Sequence, residues 1–151
     1  MFRSNFLSIV FIFSICVQSS EHRIDNIQIN SDSIEIKRNI NQVIFTKNVN
    51  INTGTLIIDA DNAIYDNLKK TISVNGSPSI IDSTHKNIKF NGQAKKIIFF
   101  DDTKIHLIGS ANLSYDNMNI SSNMIIFNPQ NGNMSSNCLL YTSDAADEGL
   151  G

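Results

Sequence analysis

Between residues 27 and 128, apolar and polar positions alternate with a period of two. Ile27-Gln28-Ile29-Asn30, Ile34-Glu35-Ile36-Lys37 and Val49-Asn50-Ile51-Asn52 follow this rule, as do Leu56, Ile58 and Ala60 with their polar neighbours. So do Ile72-Ser73-Val74-Asn75, Ile88-Lys89-Phe90-Asn91, Ile105-His106-Leu107 and Met118-Asn119-Ile120-Ser121. A period of two puts successive side chains on opposite faces of an extended chain, one apolar and one wet. No stretch sustains the i, i+3, i+4 spacing of a long helix. Turn signals separate the runs: Asn52-Thr53-Gly54, Asp66-Asn67, Asn75-Gly76-Ser77-Pro78, Asn91-Gly92, Asp101-Asp102, Asp116-Asn117 and Asn131-Gly132. Short strands closely punctuated by turns predict an all-β sandwich, barrel or solenoid.

An internal repeat narrows the choice. Val43–Asn67 aligns with Ile105–Pro129 at a shift of 62 residues without a gap. Val43 meets Ile105, Phe45 meets Leu107, Val49 meets Ala111, Ile51 meets Leu113, Leu56 meets Met118, Ile58 meets Ile120, Ile64 meets Ile126 and Tyr65 meets Phe127. Between the copies lie two related pieces, Ile72–Ile81 and Ile88–Phe100. Three glycine corners recur: Gly76-Ser77-Pro78, Gly92-Gln93-Ala94 and Gly109-Ser110-Ala111. Glycine at such a place permits a bend that a side chain blocks. A repeated strand–corner–strand unit predicts antiparallel hairpins stacked along an axis.

The two ends fall outside this pattern. Arg3 precedes a 12-residue apolar run, Phe6–Val17, too short for the roughly 20 residues that span a bilayer. Val17-Gln18-Ser19 then offers a cleavage point, so residues 1–19 are expected to be a secretory signal peptide. From Cys138 the isoleucine and asparagine vanish and Ala, Asp and Gly appear. Residues 138–151 are expected to be a non-native tail, read through from a sequencing adapter. That leaves 20–137 as one domain, incomplete at its C-terminus.

Composition then removes whole classes of function. The chain has 25 isoleucines, 21 asparagines and no tryptophan. Residues 20–137 hold eleven basic and eleven acidic side chains, so no basic stripe exists for nucleic acid. Cys16 and Cys138 both lie outside this domain, which leaves neither a disulfide framework nor a thiolate metal site. His22, His85 and His106 are isolated and are expected to be solvated surface residues. Asp59 and Asp61 flank Ala60 and read as an outer-face charge pair rather than as cation ligands or catalytic carboxylates. No serine sits in a nucleophile elbow. No catalytic residue, metal or cofactor is expected.

The ordered motifs resemble the OstA-like family. They are Ile27-x-Ile29-x-Ser31-Asp32, Phe45-Thr46-Lys47-Asn48-Val49, Gly54-Thr55-Leu56-x-Ile58-x-Ala60-Asp61, Gly76-Ser77-Pro78, Gly92-Gln93-Ala94 and Gly109-Ser110-Ala111-Asn112. Their order and spacing agree over roughly residues 26–128. Lys47 departs from the pattern, because the family usually has glycine before Asn-Val. The resemblance implies a twisted open β-jellyroll, a β-taco folded around an apolar groove. It further implies a periplasmic carrier of lipopolysaccharide that holds the acyl chains of lipid A. Such a carrier bridges an inner-membrane transport complex and an outer-membrane translocon through edge-strand pairing and stacks head to tail with copies of itself. The N-terminal periplasmic domain of the translocon shares the fold and stays open as an alternative, as does a ligand-free structural β-solenoid.

The physics of an open apolar trough agrees with that implication. Exposed apolar surface of this extent marks a binding site, and each methylene buried there gains about 0.8 kcal/mol. Open sheet edges invite pairing by a further strand. Strand parity then names the candidate lipid-facing residues: Ile27, Ile29, Ile34, Ile36, Phe45, Val49, Ile51, Leu56, Ile58, Val74, Ile81, Phe90, Phe99, Leu107, Leu113 and Ile120. Ile27 and Ile29 are expected beside the groove mouth. Ile80-Ile81 and Ile97-Ile98-Phe99-Phe100 are apolar on both faces and leave their direction open.

Overall fold

The computed structural model describes residues 27–84, 88–101 and 103–136, with Asp101 described by its backbone alone. The strands are β1 (Gln28–Asn30), β2 (Ser33–Lys37), β3 (Gln42–Asn52), β4 (Leu56–Asp66) and β5 (Thr71–Ser83). They continue as β6 (Phe90–Asp101), β7 (Lys104–Tyr115), β8 (Met118–Phe127) and β9 (Met134–Ser136). A single 3-10 turn, Arg38–Ile40, joins β2 to β3. All pairings are antiparallel, and from β3 onward each strand pairs with the next. β1 and β2 share one edge, where β1 pairs with the end of β3 and β2 with its start.

The reversals use the residues their geometry needs. After β3, the Asn52 side chain accepts from the Gly54 amide at 2.8 Å, and the Thr53 hydroxyl accepts from the Leu56 amide at 3.1 Å. After β4, the Asp66 carboxylate accepts from the amides of Leu68 and Lys69 at 3.1 and 3.0 Å. Between β7 and β8, Asp116 and Asn117 have φ of 46° and 64°, the two positive values of a tight hairpin turn.

A line of register shifts crosses the sheet at mid-strand. It runs through Thr46/Val49, Asp59/Asn62, Asn75/Ser79, Gln93/Lys96 and Ile108/Ala111. Bulges bend strands and locally interrupt pairing, so their alignment creases one continuous sheet into two arms. The upper arm holds β1 and residues 49–60, 79–84, 88–94 and 111–122. The lower arm holds β2, β9, Gln42–Thr46, Asn62–Asn75, Lys96–Asp101, Lys104–Ile108 and Met124–Phe127. The crease explains the turn signal at Asn75-Gly76-Ser77-Pro78, whereas Asn91-Gly92 sits in regular pairing in the upper arm. Asn75-Gly76-Ser77-Pro78 and Asn91-Gly92 lie inside β5 and β6 and reverse nothing. Pro78 is tolerated because it sits in the unpaired bulge, where no ladder donor is needed. Lys47 and Asn48 form the bulge of β3 at φ of 64° and 51°. Lys47 thus holds the left-handed conformation that suits a glycine.

The 62-residue repeat is the β3–β4 hairpin laid over β7–β8. Even the bulges correspond, Thr46/Val49 with Ile108/Ala111.

Candidate functional site

Pairing across an antiparallel ladder puts opposed residues on one face, so the register fixes what faces the space between the arms. In the lower arm one row runs Ile36, Val43, Tyr65, Ile72, Phe99, Ile105, Phe127 and Met134, from one sheet edge to the other. A second runs Ile34, Phe45, Ala63, Val74, Ile97, Leu107 and Ile125. The upper arm answers with Ile29, Ile51, Ile58, Ile81, Gly92, Leu113 and Ile120. Nothing charged interrupts these rows.

The arms touch face to face. A Cβ on Gly92 of the upper arm would stand 2.9 Å from Leu107 Cδ2 of the lower arm, so the missing side chain is what admits the leucine. Phe127 of the lower arm lies edge-on to Phe90 of the upper arm, with ring centroids 4.7 Å apart, and 5.4 Å from the ring of Tyr115.

All sixteen candidate residues fall on or against this inner surface, in three different settings. Phe45, Val49, Ile51, Leu56, Ile58, Val74, Ile81, Phe90, Phe99, Leu107 and Leu113 are buried. Ile27, Ile29 and Ile120 are partly buried and pack against that core. Ile34 and Ile36 share the face of Phe45 and Val43, yet they are 57% and 65% exposed. The trough expected to stay accessible is therefore closed over most of its length by the protein's own side chains. Its inner surface reaches solvent at the β2 edge. The doubly apolar runs resolve by parity, with Ile81, Ile97 and Phe99 buried inside and Ile80 and Phe100 exposed outside.

The sixteen candidates leave out Ile72, Ile97, Ile105, Ile125 and Phe127, all buried inside. Parity already carried the signal for two of them, since Ile72 shares the face of Val74 and Ile105 that of Leu107.

Among the described residues an apolar cleft lies at the mouth, where the hairpin ends of the two arms meet. It measures about 320 Å³ and is lined by Thr55, Leu56, Ser83, Ile88 and Phe90 of the upper arm, with Pro129 and Gln130 after β8. The β8–β9 turn is seated there by Gly132, at φ of 72°, against the Tyr115 hydroxyl.

Asp59 accepts from the Asn50 amide group at 2.7 Å, an outer-face contact. Among the described residues no cluster of three His, Cys, Asp or Glu side chains could hold a metal. His106 corrects the expectation of a solvated surface histidine. It lies on the outer face between Ile98 and Ile126, its ring 4.6 Å from that of Phe100, and its Nε2 is buried without a partner. Burial, then the Lys104 ammonium, hold its pKa below the usual 6.5. His22 and His85 lie outside the described residues, as do the expected signal peptide and tail.

Residues 28–133 match the family model described as LptA/(LptD N-terminal domain) LPS transport protein. The chain belongs to this family. The LptA/LptD family is a transport family, and its match spans every strand from β1 to β8. Among solved structures, this LptA/LptD-family chain is similar to LptH of Pseudomonas aeruginosa, described as the LptA-homologous periplasmic component of the lipopolysaccharide transport device. The TM-score is 0.67 at 14% identity, covering 74% of this chain and 81% of that one. At that identity the likeness speaks for the fold, the β-jellyroll. A comparison with curated proteins finds no match.

Proposed function

We propose that this LptA/LptD-family chain is a periplasmic lipopolysaccharide carrier that receives the acyl chains of lipid A between its two arms. In this reading it passes them along the axis of the jellyroll, from an inner-membrane complex toward an outer-membrane translocon. Residues 1–19 direct export, and 20–137 form the carrier domain. The supporting observation is the set of uncharged, largely apolar rows that run across every long strand, transverse to the backbone, toward both sheet edges. A fold that needed only a stable core would have no need to carry its apolar surface out to exposed positions such as Ile34 and Ile36. The end strands offer backbone donors and acceptors through which a partner, or a second copy, adds a strand.

Photo-crosslinking tests this reading. A photoreactive residue at Ile29 or Phe90 should label with lipopolysaccharide, and one at Gln28 or Lys89 should not. Equal labelling of the two sets would reject a binding trough.

Two other readings have observations in their favour. The family description includes the LptD N-terminal domain, and a long amphipathic barrel encoded downstream would select it. The packed interior suits a ligand-free structural solenoid, for which no position would label.

A further inference from the structure

We infer that Phe90, Tyr115 and Phe127 form an aromatic latch across the mouth, which must release before an acyl chain can pass between the arms. The latch rests on the carrier reading and adds how the site is controlled. Acyl chains and side chains compete for one volume. Ile51, Ile81, Leu107, Ile125 and Phe127 are fully buried, in an interior made by side chains from both arms. Protein interiors are packed at crystal density, so a fatty chain finds no room until the arms separate.

The arms can part only at the mouth. On the opposite side the backbones of β3 to β8 run unbroken through the crease. The crease is also where ladder pairing is already missing, so a change of angle there gives up little hydrogen bonding. At the mouth, the ring of Phe127 from the lower arm bears on the rings of Phe90 and Tyr115 from the upper arm. Tyr115 in turn seats Gly132 of the β8–β9 turn. The cleft beside Phe90 places apolar surface next to the latch, where the end of a chain can begin to wedge it apart. Lipid contact with Leu56, Ile88 and Pro129 then replaces the ring contacts that are lost.

The test bridges the mouth without touching the rings. Thr55→Cys and Gln130→Cys are introduced on opposite lips of the cleft, with Cys16 and Cys138 replaced by serine. A short bis-thiosulfonate joins the pair and a reductant releases it. Binding of fluorescent rough-type lipopolysaccharide should weaken by about tenfold or more in the bridged protein and recover on reduction, a factor well outside assay error. Each single cysteine carrying one reagent arm measures the loss that the arm alone causes in the cleft, and the bridged protein should bind about tenfold more weakly than either. Full binding by the bridged form, or equal loss in the single-cysteine controls, would overturn the latch. Failure of the unbridged protein to bind would instead remove the carrier reading, and the latch with it. As a second measurement, the distance between spin labels at the same two positions should lengthen when lipopolysaccharide is added. An unchanged distance in the lipid-bound protein would also overturn the latch.

Discussion

Leu107→Ala is the substitution that best separates a filled interior from an open trough. Leu107 has no exposed surface and lies over Gly92 of the opposite arm, with Ile97 and Ile125 as its ladder neighbours. The change deletes three carbons, which at about 0.8 kcal/mol each gives about 2.4 kcal/mol of lost transfer free energy. The cavity left behind adds to this, because the surroundings relax only in part, and the total comes to about 3–4 kcal/mol. A domain of this size is held by about 5–15 kcal/mol, so the variant should fold with much of its margin gone. Urea denaturation of the lipid-free protein, with equal slopes for parent and variant, measures the difference. The same truncation at Ile36, which is 65% exposed, should cost only a few tenths, about 0.5 kcal/mol at most. A cost below about 1 kcal/mol at Leu107 would refute the packed interior, because a side chain facing an open trough has little contact to lose. Saturating lipopolysaccharide should also restore more stability to Leu107→Ala than to the parent, since an acyl chain can occupy the new cavity.

Other outcomes follow from particular residues. Lys47→Gly should stabilise the protein by about 1 kcal/mol in the same denaturation assay, because it removes a side chain from a left-handed position. Asp66 has its pKa held below the usual 3.8, first by the Lys69 amide and then, against burial, by the Gln42 side chain and the Leu68 amide. The stability it adds is therefore full above pH 3.8 and is lost as pH falls through its lower folded-state value. The melting temperatures of the parent and Asp66→Asn should accordingly differ near neutrality and converge in acid. Lys104→Gln should raise the His106 pKa only part of the way to 6.5, because burial is the larger cause, and a histidine NMR titration reads this directly. A full return to 6.5 would mean that the lysine charge, and not burial, holds the imidazole neutral.

Most of the architecture was legible because period two survives in nearly every strand. The repeat between Val43–Asn67 and Ile105–Pro129 already specified that one hairpin echoes another. The crease was not legible as such. A bulge in mid-strand and a turn between strands draw on the same residues, so Asn75-Gly76 reads as a reversal; Asn91-Gly92 does too, because a glycine that makes room for Leu107 looks the same in sequence as one that turns the chain. The exposure of the inner face was illegible for a different reason. Parity assigns a side chain to a face but carries no information about the distance to the opposing sheet. Leu107 and Ile36 share an inward parity, yet one is sealed and the other open, because only Leu107 has an arm above it. His106 departs from its expected setting because alternation marks it as outward without showing that Ile98, Phe100 and Ile126 make that outer surface apolar.

The matching bulges of β3 and β7 have a consequence for how such a molecule can grow. Because the kink recurs at the same place in each copy of the hairpin, a further copy would continue the fold line without redesigning any side chain. Neighbouring strands are about 4.8 Å apart, so each added hairpin would extend the folded sheet by about 10 Å. Reach is then a matter of unit count, whether the units belong to one polypeptide or to several laid end on end.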